Sequence, residues 1–286
     1  MENKLLSFRM QLFASVIRAG SFTVAADQLN LTKSGLSQHI TALEQELGVQ
    51  LMHRTTRKLT LSHAGERFFQ RCVELENLLR IAVDELNETQ STICGGLTLT
   101  APEGLVRPII SPVVIQLMAK HPELTIDLIV SDKQLDLIQG NIDVAIRAGK
   151  LVDSSSKARK IGEVSEYWYV NKNIICNESL AEIVLPWQNS SSEKQLKVST
   201  FPAAIEFVIQ GAGIALLPDI AVLDFIDNGT LIRIDHPGNP GLKQDKIPVY
   251  AIHNYQNHTP RNVQYVIAAI EEALKKLCTK LDIVNS

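Results

Sequence analysis

Residues 20–47, GSFTVAADQLNLTKSGLSQHITALEQEL, decide how the rest of the chain is read. Gly20 tolerates left-handed backbone and can end one helix, and the Ser21 hydroxyl can cap the next. A short helix over 22–29 is expected to bury Val24, Ala25, Ala26 and Leu29, the paired alanines letting a second helix cross closely. Asn30-Leu31-Thr32 is then a turn, with Thr32 capping a longer helix over 33–47. On it Leu36, Ile40, Leu43 and Leu47 recur at four, three and four residues, an inward stripe. Ser34, Ser37, Gln38 and Thr41 fall on the opposite face, where charged residues would be usual. Short hydroxyls and an amide suit base edges in a major groove, and Lys33 adds a cation at the rim. The pattern is a helix-turn-helix whose reading end is 33–41. The alternative is a helical hairpin with a solvated polar face. His39, beside that face, is placed equally well against DNA or in solvent.

The flanking sequence favours the first reading. Residues 50–61, QLMHRTTRKLTL, read as two short strands joined by a basic loop, a wing whose Arg54, Arg57 and Lys58 suit phosphate contact. Together GSFTVAADQLN, LTKSGLSQHITALEQELGVQL and RTTRKLTLSHAGE closely resemble the LysR-type transcriptional regulators, in order and nearly ungapped. The DNA contacts expected on this basis are Thr23, Thr32, Lys33, Ser34, Ser37, Gln38, Thr41, Arg54, Arg57 and Lys58.

The chain has 286 residues and a formal net charge of -3, so it is no uniform polycation. Residues 1–62 nevertheless carry seven bases (Lys4, Arg9, Arg18, Lys33, Arg54, Arg57, Lys58) against four acids (Glu2, Asp27, Glu44, Glu46). A mildly basic head on an acidic body fits a DNA reader attached to a second function. Cys72, Cys94, Cys176 and Cys278 lie far apart without a CxxC pair and read as buried or idle thiols, with a redox switch as the other reading. Lys4, Arg9 and Arg18 interrupt the early apolar residues, so no signal peptide is expected. Nor does any uncharged apolar run approach a membrane span, and a cytoplasmic protein is expected.

A first helix over 5–19 should bury Leu6, Met10, Phe13 and Ile17. Ser62 can cap a long helix running from 63 to about 90, with Glu66 favoured in its first turn. Phe68, Cys72, Leu75, Leu79, Ala82 and Leu86 along it form a heptad seam, for a second copy of the helix or for its own domain. The resemblance implies a dimerising linker helix. Residues 91–96, STICGG, are a small-residue hinge, beyond which strands and helices alternate. Strands are expected at 97–100, 124–130 and 142–147, with helices at 106–120 and 134–139. A strand at 166–171 leaves the first lobe. Strands at 182–185, 195–199, 214–217 and 231–234, and helices at 202–210 and 220–227, make a second. A return strand at 248–253 and a helix from 259 to about 281 close the chain.

Two βαβ lobes with such crossings describe the type 2 periplasmic-binding-protein fold, the effector domain of the same family. GGLTLTAPEGL, LMAKHPELTIDLIVSD, DLIQGNIDVAIRAGKLVDSSSKARKIGE and GAGIALLPDIAVLDFIDNGTLIRI carry the likeness. It departs at 171–174 and 186–192, which look like a shortened substitute for a longer Gly/Pro-rich segment. The expected fold class is therefore multi-domain α and α/β. A winged helix-turn-helix occupies 1–62, a linker helix 63–91 and a two-lobed effector domain 92–286, with lobe 1 at about 92–168 and 254–286 and lobe 2 at about 169–253.

Ligands of doubly wound lobes sit beyond the carboxyl ends of strands. Those ends nominate Thr100, Pro102, Glu103, Ser131, Arg147, Thr200 and Phe201 as effector contacts. Helix N-termini there favour an anion, such as a carboxylate held by Thr100, Thr200 and Arg147; Glu103 would repel it, and a structural ion pair is the other reading of Arg147. The resemblance implies double-stranded DNA, a small-molecule effector, RNA polymerase and further copies of the chain (dimer, then tetramer) as partners. No cofactor, metal or catalytic activity is expected, since no HExxH, P-loop or GxSxG is present. Two alternatives remain: a redox sensor reporting through Cys94 or Cys176, and a solute-binding protein, which would need an export signal and no basic head.

Overall fold

A computed structural model describes residues 3–54, 59–86, 93–149, 157–174, 180–190, 192–235, 246–255 and 259–284. The chain divides into two compact units. One comprises residues 1–91 with 135–142 and 255–261, the other residues 92–134, 143–254 and 262–286.

The first unit holds α1 (Asn3–Ala19), α2 (Phe22–Gln28), α3 (Lys33–Leu47), β1 (Met52–Arg54), β2 (Leu59–Leu61) and α4 (His63–Leu86). Gly20 is left-handed (φ 62°), and the Ser21 side chain accepts from the Thr23 N–H as N-cap of α2. Thr32 caps α3, its Oγ1 accepting from the Gly35 N–H at 3.1 Å, and left-handed Gly48 ends it. Leu36, Ile40 and Leu43 are fully buried against Ala25 and Ala26, with Leu12, Phe13 and Val16 of α1 in the same core. Each such side chain contributes on the order of 2 kcal/mol through burial. Val24 departs from expectation: it is 46% exposed, because the alanines that follow it already fill the face toward α3. β1 and β2 pair antiparallel with Arg54 opposite Leu59, which makes the wing.

The seam on α4 divides. Cys72 is buried in the head's own core and Phe68 packs against it, whereas Leu79 is 45% exposed and Ala82 is exposed, as is the neighbouring Leu78. The reading in which the seam lies on its own domain thus holds for the first turns only.

The second unit is built on one nine-stranded sheet, with eight strands in the order β4-β3-β5-β11-β6-β9-β7-β8 and the ninth, β10, paired to β6. β3 (Gly95–Ala101) pairs parallel with β4 (Leu124–Val130) and with β5 (Val144–Ala148). β11 (Lys246–His253) runs antiparallel to β5 and to the first part of β6 (Lys157–Asn171). Beyond Ser165, β6 pairs with β9 (Gly213–Pro218) and then β10 (Leu231–Ile234), while β7 (Ala181–Val184) joins β9 and β8 (Gln195–Lys197). One strand therefore threads both lobes. The return strand, assigned by sequence to the second lobe, belongs by its pairing to the first.

Two helices differ from expectation. The one expected at 106–120 begins with α5 (Glu103–Leu105) and a π-helical turn at Val106–Ile110 before α6 (Ser111–Lys120). Pro108 and Pro112 lack the N–H that regular α-helical spacing requires, so the turn widens. The helix expected at 134–139 is a single turn. Asp136 Oδ1 takes the Ile138 and Gln139 N–H groups, and left-handed Asn141 (φ 49°) stops any continuation. α7 (Phe201–Ile209), α8 (Asp219–Asp227) and α9 (Arg261–Val284) complete the chain.

Gly65, near the start of α4, tests the head's packing. A Cβ there would lie 1.8 Å from the Leu51 carbonyl oxygen. Gly→Ala in a helix ordinarily stabilises by about 1 kcal/mol. Gly65→Ala should instead destabilise the head by about 1–3 kcal/mol in chemical unfolding, since backbone must shift to admit it.

Candidate functional site

The outer face of α3 is presented as the sequence implies. Lys33, Ser34, Gln38 and Thr41 are exposed, Ser37 is half-buried, and Thr23 on α2 is exposed. Thr32 is partly committed, since its hydroxyl caps the helix and lies 3.3 Å from Ser34 Oγ. His39, beside that face, is half-buried, its ring T-shaped against that of Phe8 of α1 with centroids 5.4 Å apart. Arg57, Lys58 and the Arg54 side chain lie outside the described residues.

Glu44, counted from sequence only as an acid, proves to be a positioning residue. Its Oε1 accepts from the Leu51 N–H at 2.8 Å and the Met52 N–H at 3.2 Å. One carboxylate on the recognition helix thereby fixes the first strand of the wing. Ser62 extends the brace, donating to the Gln50 carbonyl (2.7 Å) and capping α4 through the Gly65 N–H (3.0 Å). Arg9 of α1 pairs with Glu46 at 2.8 Å. Side-chain acceptors aimed at backbone N–H groups have no sequence periodicity, which is why pattern reading missed Glu44.

In the second unit, Thr100, Ser131 and Arg147 come together, but around one another. Arg147 Nη1 donates to the Ser131 (3.0 Å) and Ile146 (3.1 Å) carbonyls, and Nη2 to Thr100 Oγ1 (3.2 Å) and the Lys133 carbonyl (3.1 Å). Burial holds the guanidinium pKa below its usual value, opposed by the nearby Asp132 carboxylate. Thr100 is fully buried. Arg147 thus ties three strand ends through neutral oxygens, where the sequence suggested a ligand contact or an ion pair.

Pro102 and Glu103 form the adjoining rim. The Glu103 N–H donates to Asp132 Oδ1 at 3.2 Å, and burial, then Asp132, raise the pKa of the Glu103 carboxyl. Across from them Thr200 caps α7, accepting from the Ala203 N–H at 3.4 Å. Phe201 is only 8% exposed, and a Cβ on Gly104 would lie 3.0 Å from its Cδ2. Trp187 covers its other side, with ring centroids 5.3 Å apart. The lobes are also joined by an Arg107–Asp224 ion pair, with Arg107 5.5 Å from the Phe225 ring centre, and by Lys280–Asp227 at 3.2 Å.

Burial pushes the Cys72 thiol up to about 12, which removes it as a reactive thiolate. Cys278 Sγ donates to the Glu163 carbonyl, Cys94 is half-buried, and Cys176 lies outside the described residues. Among the described residues no group of three or more His, Cys, Asp and Glu is placed to hold a metal ion, and no helix is long and apolar enough to cross a membrane.

Compared with known proteins, residues 8–66 match the bacterial regulatory helix-turn-helix proteins of the lysR family. Residues 90–185 and 186–275 match the LysR substrate binding domain. A transcriptional regulator of Xanthomonas campestris pv. campestris (strain 8004) is 30% identical over 254 residues, covering 78% of this chain and 73% of its own. The transcriptional activator AaeR of Escherichia coli (strain K12) is 27% identical over 292 residues and 92% of each chain. Among solved structures, ArgP from Mycobacterium tuberculosis matches with a TM-score of 0.70 at 16% identity, over 93% of this chain and 96% of its own, a likeness of fold.

Glu166 stands on β6 where pairing passes from β11 to β9, and burial raises its carboxyl pKa to about 7. A raised carboxyl pKa means that the folded protein resists ionisation, so stability falls as pH rises from the unfolded value, about 4.3, through 7. Glu166→Gln should therefore stabilise the chain at pH 8, by on the order of 1–2 kcal/mol given its partial exposure, and have little effect at pH 4. Thermal melts of both proteins across that range check it.

Proposed function

The chain belongs to the LysR family of DNA-binding transcriptional regulators, and from that membership we propose how its parts divide the work. Residues 1–62 read DNA, 63–91 pair two chains, and 92–286 receive a small-molecule effector that changes how the heads engage DNA. The observation that carries this reading is the two-sidedness of α3: Leu36, Ile40 and Leu43 are fully buried, while Lys33, Ser34, Gln38 and Thr41 are exposed.

On this proposal α3 enters the major groove. Gln38 and Thr41 face base edges, Ser34 and Ser37 lie beside them, and Thr23, Thr32 and Lys33 reach the flanking backbone. Arg54, Arg57 and Lys58 of the wing contact phosphates. A second copy packs on the exposed later half of α4, around Leu78 and Leu79, because one recognition helix offers too few contacts for high specificity. Further pairing of effector domains gives a tetramer, and the working compartment is the cytoplasm, where operator and RNA polymerase are found.

The effector's place is the junction of Pro102, Glu103 and Ser131 with Thr200 and Phe201, with Thr100 and Arg147 as the scaffold beneath. Phe201 lies against Gly104, and the Arg107–Asp224 pair joins the lobes. Effector binding parts these contacts, and the relative angle of the lobes follows.

Gln38→Ala should change base preference at one position of each half-site in a selection from random duplexes. Arg54→Ala should weaken binding to every sequence and reduce the salt slope by about one. An unchanged slope would remove the wing from the interface. For the cleft, Phe201→Ala should loosen the lobes, shifting the ligand-free emission of Trp187 toward that of a solvated indole. Unaltered emission would show that Phe201 does not hold the junction closed.

A further inference from the structure

His121 belongs neither to the DNA face nor to the cleft, and it is 3% exposed. Its N–H donates to the Leu117 carbonyl at 2.8 Å, closing α6, and its carbonyl accepts from the Leu124 N–H at 3.0 Å. The ring faces the stretch by which the chain enters the effector domain. Nδ1 accepts the Ile93 N–H at 3.2 Å, and the ring meets Tyr265 of α9 edge to face, with centroids 5.2 Å apart. Nε2 is buried and has no hydrogen-bond partner among the described residues. The same stretch is held by the Gly95 N–H on the Glu123 carbonyl (3.0 Å) and by Asn262 Nδ2 on the Gly96 carbonyl (3.4 Å).

An imidazole that accepts at Nδ1 is neutral and carries its proton on Nε2. A second proton would turn Nδ1 into a donor facing a donor and would bury a charge. Burial first, and the Lys120 ammonium second, hold the His121 pKa below the ordinary histidine value. The titratable groups on the surrounding elements are Lys120 on α6, Glu123 in the turn, Cys94 just before β3 and Tyr265 on α9. Of these, Lys120 is the one whose charge acts on the ring, and its Nζ donates to the Tyr265 hydroxyl at 2.7 Å.

We propose that His121 is a proton-sensitive latch, holding Ile93 against the first lobe while neutral and releasing it when protonated. Ile93 is the first described residue after α4, so the latch acts on the covalent path from effector domain to DNA head. The sign follows from the lowered pKa. The latch contributes fully above the unfolded value, about 6.5, and is lost as pH falls through the folded value. Between those two values the opening constant rises about tenfold per pH unit.

Hydrogen exchange at the Ile93 amide of the full-length chain, corrected for intrinsic rate, reads the latch between pH 8 and pH 5. Protection should be steady at the upper end and fall by up to tenfold per unit below about pH 6.5. His121→Asn supplies an amide oxygen in place of Nδ1 and cannot be protonated, so its protection should stay flat. His121→Phe keeps a ring against Tyr265 without the acceptor and should be unprotected throughout. PH-independent protection in the natural chain overturns the proposal, as does an Asn variant with the same pH dependence. Should the Phe variant fail to fold, the comparison with Asn decides alone.

Discussion

Ala25 and Ala26 set the distance at which α2 and α3 cross, and the DNA-reading head depends on that contact. With no more than a methyl group at either position, Leu36, Ile40 and Leu43 reach the core and become fully buried. An α-helix repeats every 3.6 residues, so burying those three leaves Ser34, Gln38 and Thr41 outside. The composition of the outer face is then free to serve recognition, because packing makes no demand on it. A larger residue at Ala25 or Ala26 would roll the helix and turn that face, even where overall stability survived.

The same helix carries its orientation to the rest of the head. Glu44, one turn beyond Thr41 on α3, takes the backbone N–H groups of Leu51 and Met52, charge-assisted bonds about twice as strong as neutral ones. Ser62 joins the Gln50 carbonyl to the first turn of α4. Recognition helix, wing and linker are thus braced through backbone groups, so a tilt in the linker's first turns is a tilt of the reading face.

Legibility followed the type of interaction. Periodicity, caps and turn residues exposed α1 to α4, the wing and most strands, because each rests on contacts a few residues apart. The turn at 136–141 was misread because its apolar pair resembles a helix face, whereas Asp136 and Asn141 settle the backbone locally. The seam on α4 was read as uniform because heptad spacing says nothing of which partner each turn meets. Arg147 was placed correctly at a strand end, but four oxygens engage its guanidinium, and three of them are backbone carbonyls invisible to sequence reading. Phe201 on Gly104 joins residues 97 positions apart in the chain, a pairing that no local pattern carries.

In the effector domain two titratable groups, Glu166 half-buried and His121 buried, lean in opposite directions. Glu166, on the strand that threads both lobes, resists losing its proton, so the crossing weakens as pH rises. His121, where the chain enters the first lobe, resists gaining one, so that attachment weakens as pH falls. Among the described residues neither group has an oppositely charged partner to offset its burial, unlike the surface pairs Lys160–Glu163 and Lys276–Glu272. A structural core rarely keeps such groups without a partner, since an apolar residue of similar volume would be at least as stable. Glu166 lies where β6 passes from one lobe to the other, and His121 lies where the chain enters the first lobe. Over the acid range the two therefore oppose each other: as pH rises toward 7 the attachment at Ile93 firms while the lobe crossing weakens.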